Sequence, residues 1–453
     1  MKYFEALVEE HRAAYKNKDL RSRLKEYVPS VGRFITPLPL SQAFTLYDSK
    51  YSISKRRFVS PTFNEIRHIL NLSQIMAIGP NLQLVTFDGD QTLYTDGGNF
   101  EDNEELALGI MSLMCHGVKV AVVTAAGYGL DGSKYSRRLQ GLLDRFVLEK
   151  LTQEQVENFF VMGGECNYLL QCTLQTVSKD DKVEGGNSNS NDDADGGEDG
   201  DENAVRAVIV PVPAEAWQAP DLKGPKPTQW AAEDIKELLD VAEESMRGTV
   251  KELNIRAKVL RKERAIGVYP GGLEMTVNVP VGHGSKKIKR EALDEVVLRV
   301  MEALHTHQPR ITLPYCVFNG GTDAWLDIGN KSVGVASLQA YFNIPQENSL
   351  HVGDQFLNTG NDIAARETCP CIWIINPRET GKVLQHVIKY GNITPYSSKQ
   401  KLSFRQANVD VSLITAGVVP GTAAASESKS AMSRGRSISG EMGKLCVYTG
   451  NVV

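Results

Sequence analysis

The sequence predicts an α/β fold: a Rossmann-like parallel sheet carrying an inserted α+β unit and preceded by a helical segment. Three observations predict it. Two short apolar runs rich in β-formers, 82–87 and 118–123, flank one helical pattern at 104–116, which is the signature of a parallel crossover. The same alternation stops after about 136 and returns near 315–318, so something is inserted between. The chain of 453 residues is longer than one ordinary core requires.

Composition narrows the class. Hydrophobic residues make up 42% and charged residues 23%, as in a soluble globular protein. A formal net charge of -5 gives no electrostatic case for nucleic acid. The start, Met1-Lys2-Tyr3-Phe4-Glu5, has no apolar core of signal-peptide length, and no run is apolar for long enough to span a membrane. The seven cysteines are scattered and odd in number, and Cys369-Pro370-Cys371 lacks the two-residue gap of zinc and redox motifs. Reduced thiols and a cytoplasmic location are expected.

The elements follow in order. Residues 1–78 form the helical segment, with helices expected over 5–15 and 60–78. Thr62 and Glu65 have capping-box spacing at the start of the second. Between the helices lies the basic cluster Lys55-Arg56-Arg57. The strand at 82–87 follows, then the helix at 104–116 stopped by Gly117, then the strand at 118–123, which ends on Thr124. Gly127-Tyr128-Gly129-Leu130-Asp131-Gly132 fits the dinucleotide fingerprint in letters only, since it does not turn directly from the first strand into a helix.

Residues 137–319 are assigned to the inserted unit, with strands near 159–162, 204–210 and 275–279 and helices near 230–246 and 290–305. Within it, 178–203 is acidic and almost without apolar side chains, so a disordered loop is expected. The core expected over 79–136 resumes over 320–400. It has a helix at 331–342, a strand at 349–352, a helix from Asp362 and a strand at 371–375. Residues 401–453 are Ser/Ala/Gly-rich and expected to be largely disordered.

The chemistry gathers at strand ends. Asp88 closes the first strand and Asp90 stands two residues on, with Gly89 allowing a sharp turn. In open parallel sheets the carboxyl ends of the strands are where ligands bind. Two such acids repel unless a cation or proton lies between them, and oxygen ligands with phosphate suit Mg2+. A calcium loop fails here, because Leu93 stands where Gly is needed and Asn99 where Glu is needed. Thr124, Lys331, Asp354 and Asp362 join this pair from later in the chain. Together they supply a nucleophilic carboxylate, a second acid for proton transfer, and a hydroxyl and an ammonium for phosphate oxygens.

These residues resemble the motifs of the haloacid-dehalogenase phosphatases. Asp88-Gly89-Asp90-Gln91-Thr92 looks like the first motif and Val123-Thr124 the second. Lys331 looks like the third, and Gly353-Asp354 with Asn361-Asp362 the fourth. The resemblance implies Asp88 as nucleophile and Asp90 as general acid/base. It implies Thr124 and Lys331 as phosphate binders, and Asp354 with Asp88 and Asp90 as ligands of Mg2+. The longer runs 87–94, 319–331 and 352–356 are similar to the IMP-specific 5'-nucleotidases of fungi and some protozoa. That likeness implies hydrolysis of IMP to inosine and phosphate, a homotetramer, and ATP as an allosteric activator. Asp96 and Asp323 are then candidates for a ribose hydroxyl. Lys55, Arg56 and Arg57, with His68 on the next helix, are candidates for the ATP site. A sugar phosphomutase, another small-phosphate phosphatase, and a silent nucleotide-binding regulator remain as alternatives.

Overall fold

The computed structural model describes residues 1–101, 103–177, 204–218, 226–271, 288–307 and 311–397. The acidic loop at 178–203, the strand expected at 275–279 and the tail at 401–453 lie outside the described residues.

The first strand, β1 (Leu84–Phe87), is buried along its whole length and sits in the middle of the main sheet. It pairs in parallel with β2 (Lys119–Thr124), as the crossover pattern predicts. Continuing in chain order, β3 is Phe159–Gly163, β4 Tyr168–Val177, β5 Ala204–Pro211, β6 Ala257–Arg261, β7 Ala265–Pro270, β8 Tyr315–Asn319, β9 Ala324–Ile328, β10 Ser349–Gly353 and β11 Cys371–Trp373. The seven-stranded sheet runs β11-β10-β1-β2-β3-β4-β5, and a separate four-stranded sheet runs β6-β7-β9-β8.

Two expectations need correction. The strands at 159–163 and 204–211 belong to the main sheet, where β3 pairs in parallel with β2 and β4 and β5 add antiparallel. Alternation with helices ends before the sheet does, because antiparallel strands need no crossover helix. Conversely β9, which falls in the stretch expected to resume the core at 320, pairs antiparallel with β8 and β7 in the smaller sheet. The unit with its own core therefore runs from helix Ala232–Glu252 to β9, shorter than the expected 137–319. Its core packs Leu238, Met246, Ile266, Val297 and Leu326 between the two helices, Ala232–Glu252 and Arg290–Thr306, and the sheet. The β6 and β7 strands escaped the sequence reading because β6 alternates exposed and half-buried positions rather than forming an apolar run.

The N-terminal helices are Lys2–Lys16, Arg23–Tyr27, Leu40–Tyr51 and Phe63–Ile78. The Thr62–Glu65 capping box forms as expected. Helix Phe63–Ile78 covers the free edge of β11, which would otherwise present unpaired backbone groups. Asn71 takes the place of a neighbouring strand: its Nδ2 donates to the Trp373 carbonyl at 2.6 Å and its Oδ1 accepts from the Trp373 amide at 3.2 Å. Next to it Arg67 and His68 both reach Glu379 of helix Pro377–Tyr390, each at 2.9 Å, in a fully buried cluster. No helix among the described residues is long and apolar enough to cross a membrane.

The Arg67–Glu379 pair anchors this segment, and removing one partner leaves a buried charge alone. Glu379→Leu should therefore cost about 3–5 kcal/mol in urea unfolding. Adding Arg67→Met should recover most of that loss, and a double variant no more stable than the single would disprove the assignment.

Candidate active site

The site is built where β1, β2 and β10 end. The Asp88 amide still donates to the Val352 carbonyl of β10 at 2.9 Å, so Asp88 continues the sheet's pairing. The chain then folds back, with the Leu93 amide donating to the Gly89 carbonyl at 2.9 Å. A Cβ on Gly89 would lie 2.4 Å from the Tyr94 hydroxyl, so only glycine fits the turn. The turn sends the two acids to different partners. Asp88 Oδ1 accepts from Lys331 Nζ at 2.5 Å. Asp90 Oδ1 accepts from the Gly97 amide at 2.9 Å and lies 3.6 Å from Arg138 Nη2.

Lys331 opens helix Lys331–Phe342, capped by Asn330, whose Oδ1 accepts from the Val333 amide at 3.0 Å. Its ammonium is wholly buried and donates also to Asp362 Oδ1 at 2.5 Å. Asp362 is held from three sides. Its Oδ1 also takes His351 Nε2 at 2.9 Å, and its Oδ2 takes the Gln355 amide at 2.8 Å. The other ring nitrogen of His351 meets Thr86 Oγ1 at 2.9 Å. Thr124 ends β2, and its Oγ1 accepts from the Ala126 amide at 3.1 Å.

Asp354 follows β10, and its buried Oδ1 has no hydrogen-bond partner among the described residues. Carboxylate oxygens of Asp88, Asp354 and Asp362 lie within 4.8 Å of one another. Three acids and one ammonium so placed call for another positive charge. Burial pushes Asp88 up to about 7, against the pull of Lys331. Burial, then the charges of Asp88 and Asp362, push Asp354 up to about 8. Burial would also raise Asp362, but Lys331 and His351 hold it well below the usual carboxylate range. The donor set suits a divalent cation: it is all oxygen and includes the carboxylate oxygen of Asp354 that has no partner among the described residues. Asp362 already accepts from Lys331, His351 and the Gln355 amide, so Asp88 and Asp354 are the acids better placed to hold it. The Asp90 carboxylate, expected as a ligand, is outside the trio because the Gly89 turn directs it to Gly97 and Arg138.

Above these residues opens a cleft of about 510 Å³. Asp88, Asp90, Asp96, Thr124 and Asp323 all line it, so the structure brings five of the expected residues to one surface. Lys331 lies behind Asp88. The inserted unit supplies the facing wall, including Lys262, Arg264, Trp325 and Asp327, with Lys262 Nζ 4.3 Å from the Trp325 ring centroid. Burial raises the Asp90 carboxyl, while the Gly97 amide and Arg138 oppose the rise.

Four residues expected as an effector site are not brought together. Lys55 and Arg57 are exposed, and Arg56 pairs with Glu65. His68 is buried between Glu379 and Tyr47, facing inward rather than toward the cluster. Sequence reasoning missed Arg138, Glu165 and His351. Only Trp325 and Asp327 lay inside a stretch already singled out, 319–331. Glu165 is wholly buried, takes the Asn361 amide at 2.9 Å, and is pushed up to about 8 by burial.

The parallel sheet, the acid-bearing turn at its strand ends, the lysine between two acids and the inserted unit define a phosphatase of the haloacid-dehalogenase class. Comparison with known proteins narrows this. The sequence profile of the IMP-specific 5'-nucleotidases matches residues 1–189 and 200–384. The IMP-specific 5'-nucleotidase 1 of Yarrowia lipolytica is 38% identical over 377 residues, covering 82% of this chain and 79% of that protein. The one from Plasmodium falciparum is 36% identical over 367 residues, covering 81% and 73%. Among solved structures, the IMP-bound, N-terminally truncated P. falciparum IMP-nucleotidase superposes with a TM-score of 0.69 at 34% identity, covering 86% of this chain and 89% of that one. Its ATP-bound form gives 0.65 at 35% identity, covering 86% and 79%. The chain belongs to the IMP-specific 5'-nucleotidase family.

The raised acids make metal-free stability depend on pH. Between the ordinary carboxylate value of 3.8 and their folded values of about 7 and about 8, Asp88 and Asp354 hold protons that the unfolded chain has lost. The native state then binds more protons, so stability falls as pH rises through that window. Chelator-treated protein should melt at lower temperature near pH 8 than near pH 5, to about the extent that a bound divalent cation reverses. Melting curves with and without chelator would check this; a cation effect equal at both pH values would count against it.

Proposed function

We propose that the chain hydrolyses IMP to inosine and phosphate with Mg2+ as its divalent cation and Asp88 as the residue that carries the phosphoryl group. The observation that carries the reading is Asp88 at the cleft, with Lys331 on one oxygen and Asp354, whose Oδ1 has no partner among the described residues, beside it. Membership of the family supplies the substrate. The P. falciparum relative has been solved with IMP bound.

In the first half-reaction a carboxylate oxygen of Asp88 attacks phosphorus, and the bond from phosphorus to the ribose 5'-oxygen breaks. Asp90, raised by burial and so able to carry a proton, gives it to that oxygen. In the second half-reaction Asp90 takes a proton from water as the water attacks phosphorus. The bond to Asp88 breaks and phosphate leaves. Lys331 fixes the nucleophile throughout, because Asp362 and His351 hold its ammonium in place. Asp88 and Asp354 would hold Mg2+, which supplies charge neutralisation between nucleophile and phosphate. Thr124 offers a hydroxyl to the phosphate oxygens, and Asp96 and Asp323 face the ribose from the two walls. Lys331 and Asp362 form too complete a catalytic pair for a silent regulator. The reading includes ATP as an effector, for which the ATP-bound P. falciparum structure is the support, together with a homotetrameric, cytoplasmic enzyme.

IMP should exceed AMP in kcat/KM by about four orders of magnitude, because a site that bonds the 6-oxo edge leaves buried groups unpaired with AMP. Phosphate release from both nucleotides measures this, and equal rates would remove the specificity. The mechanism is tested separately. Asp88→Asn should abolish turnover while IMP still binds, and Asp90→Asn should slow turnover by about two to four orders of magnitude. With p-nitrophenyl phosphate, whose leaving group needs no proton, the Asp90→Asn enzyme should accumulate phosphate on Asp88. Rapid-quench mass spectrometry would find it, and phosphate on any other residue would end the aspartyl-phosphate mechanism.

A further inference from the structure

Asp354 Oδ1 has no hydrogen-bond partner among the described residues, and the carboxylate is otherwise bonded to its own backbone, so its direction follows that backbone. The peptide joining Asp354 to Gln355 is held at both ends. Its N–H donates to Asp362 Oδ2 at 2.8 Å. Its carbonyl accepts from the indole Nε1–H of Trp373 at 2.8 Å. One residue earlier, the Gly353 carbonyl accepts from the Ile374 amide at 2.9 Å, which completes the β10–β11 pairing. The indole is thus the contact that carries the hold of β11 past the end of the sheet and onto the acid.

Trp373 is itself held from the other side. Its backbone amide and carbonyl are bonded by Asn71, and Arg67 donates to the same carbonyl. Both residues belong to helix Phe63–Ile78 of the N-terminal segment. Its ring packs edge-on against Phe63 of that helix, with centroids 5.3 Å apart, and against Phe356 just beyond Asp354, at 6.1 Å. Two links therefore connect the N-terminal helix to Asp354: side chains of the helix to the Trp373 backbone, then the Trp373 indole to the Asp354 peptide.

We propose that Trp373 is a positioning residue for Asp354 and that it makes cation affinity depend on how the N-terminal helix is seated. The proposal rests on Asp354 as a cation ligand. Interactions that orient metal ligands from one step away change affinity by about 10- to 100-fold when removed. Loss of the indole N–H frees the 354–355 peptide to rotate about its remaining bond to Asp362, so the carboxylate samples directions that miss the cation.

The test uses the full chain and Mg2+ alone. Trp373 is replaced by Phe, and separately by 3-benzothienylalanine, which keeps the indole's shape and substitutes sulfur for N–H. Calorimetric titration should show Mg2+ bound about 10- to 100-fold more weakly by both. The benzothienyl protein should melt near the wild-type temperature. Asn71→Ala, which loosens Trp373 from the helix, should weaken Mg2+ in the same direction, while Phe63→Leu, which alters only packing at the ring edge, should not. Wild-type Mg2+ affinity in the benzothienyl protein would overturn the proposal, and so would weakening by Phe63→Leu to the same degree. Asp354→Asn separates the underlying reading: if it binds Mg2+ as the wild type does, the assignment of Asp354 as ligand fails, whatever Trp373 does.

Discussion

One buried ammonium holds the site together. Lys331 Nζ lies 2.5 Å from an oxygen of Asp88 and the same distance from one of Asp362, and none of the three has more than slight contact with solvent. At about 4 Å and an effective dielectric near 20, each such attraction is worth about 4 kcal/mol before desolvation is charged against it. Lysine at this position keeps Asp362 ionised and orients Asp88. It does not balance the cluster, since Asp354 adds a third acid with no cation of its own. The remaining imbalance is what a divalent ion resolves, and in its absence protons resolve it.

The rest of the architecture follows from placing that ammonium. β1 occupies the centre of the sheet, so the ends of β2 and β10 flank Asp88 and bring Thr124 and Asp354 beside it. The lysine arrives from outside this sheet. β9, in the inserted unit, ends at Ile328, and Lys331 begins its helix three residues later. The facing wall of the cleft is therefore tied to Lys331 by a very short connection. Asn167 reinforces the joint, donating from Nδ2 to the Ile328 carbonyl at 2.9 Å and accepting from Arg264 at 2.8 Å. The inserted sheet is thus joined within three residues to the lysine that donates to Asp88.

The sequence made the local features readable and left the distant ones hidden. The Thr62–Glu65 cap, the 82–87 strand and the helix at 331–342 rest on spacing within one turn or one strand, and each appears close to where it was expected. Asp88, Asp90, Thr124 and Asp323 were legible because acids and hydroxyls at strand ends or in glycine turns have few structural uses. His351 and Glu165 were not. His351 sits inside a buried strand and Glu165 in the glycine turn after β3, and their meaning comes from Asp362 and from Asn361, the latter 196 residues away from Glu165. The inserted unit was misjudged for a related reason. Which sheet a strand joins is decided by the edge left open elsewhere, and β3 to β5 found theirs on β2.

The central position of β1 has a consequence for biosynthesis. One of its two neighbours, β10, lies far along the chain, and Lys331 is 243 residues beyond Asp88. At about 5–20 residues per second, roughly 12 to 50 seconds separate the emergence of Asp88 from that of Lys331. Until then β1 can pair with β2 only, its other edge is open, and Asp88 has neither ammonium nor cation site. The site is incomplete through most of translation, and a ribosome that stops short of the last strands releases a chain with an unprotected sheet edge, the kind of product that chaperones must hold or proteases remove.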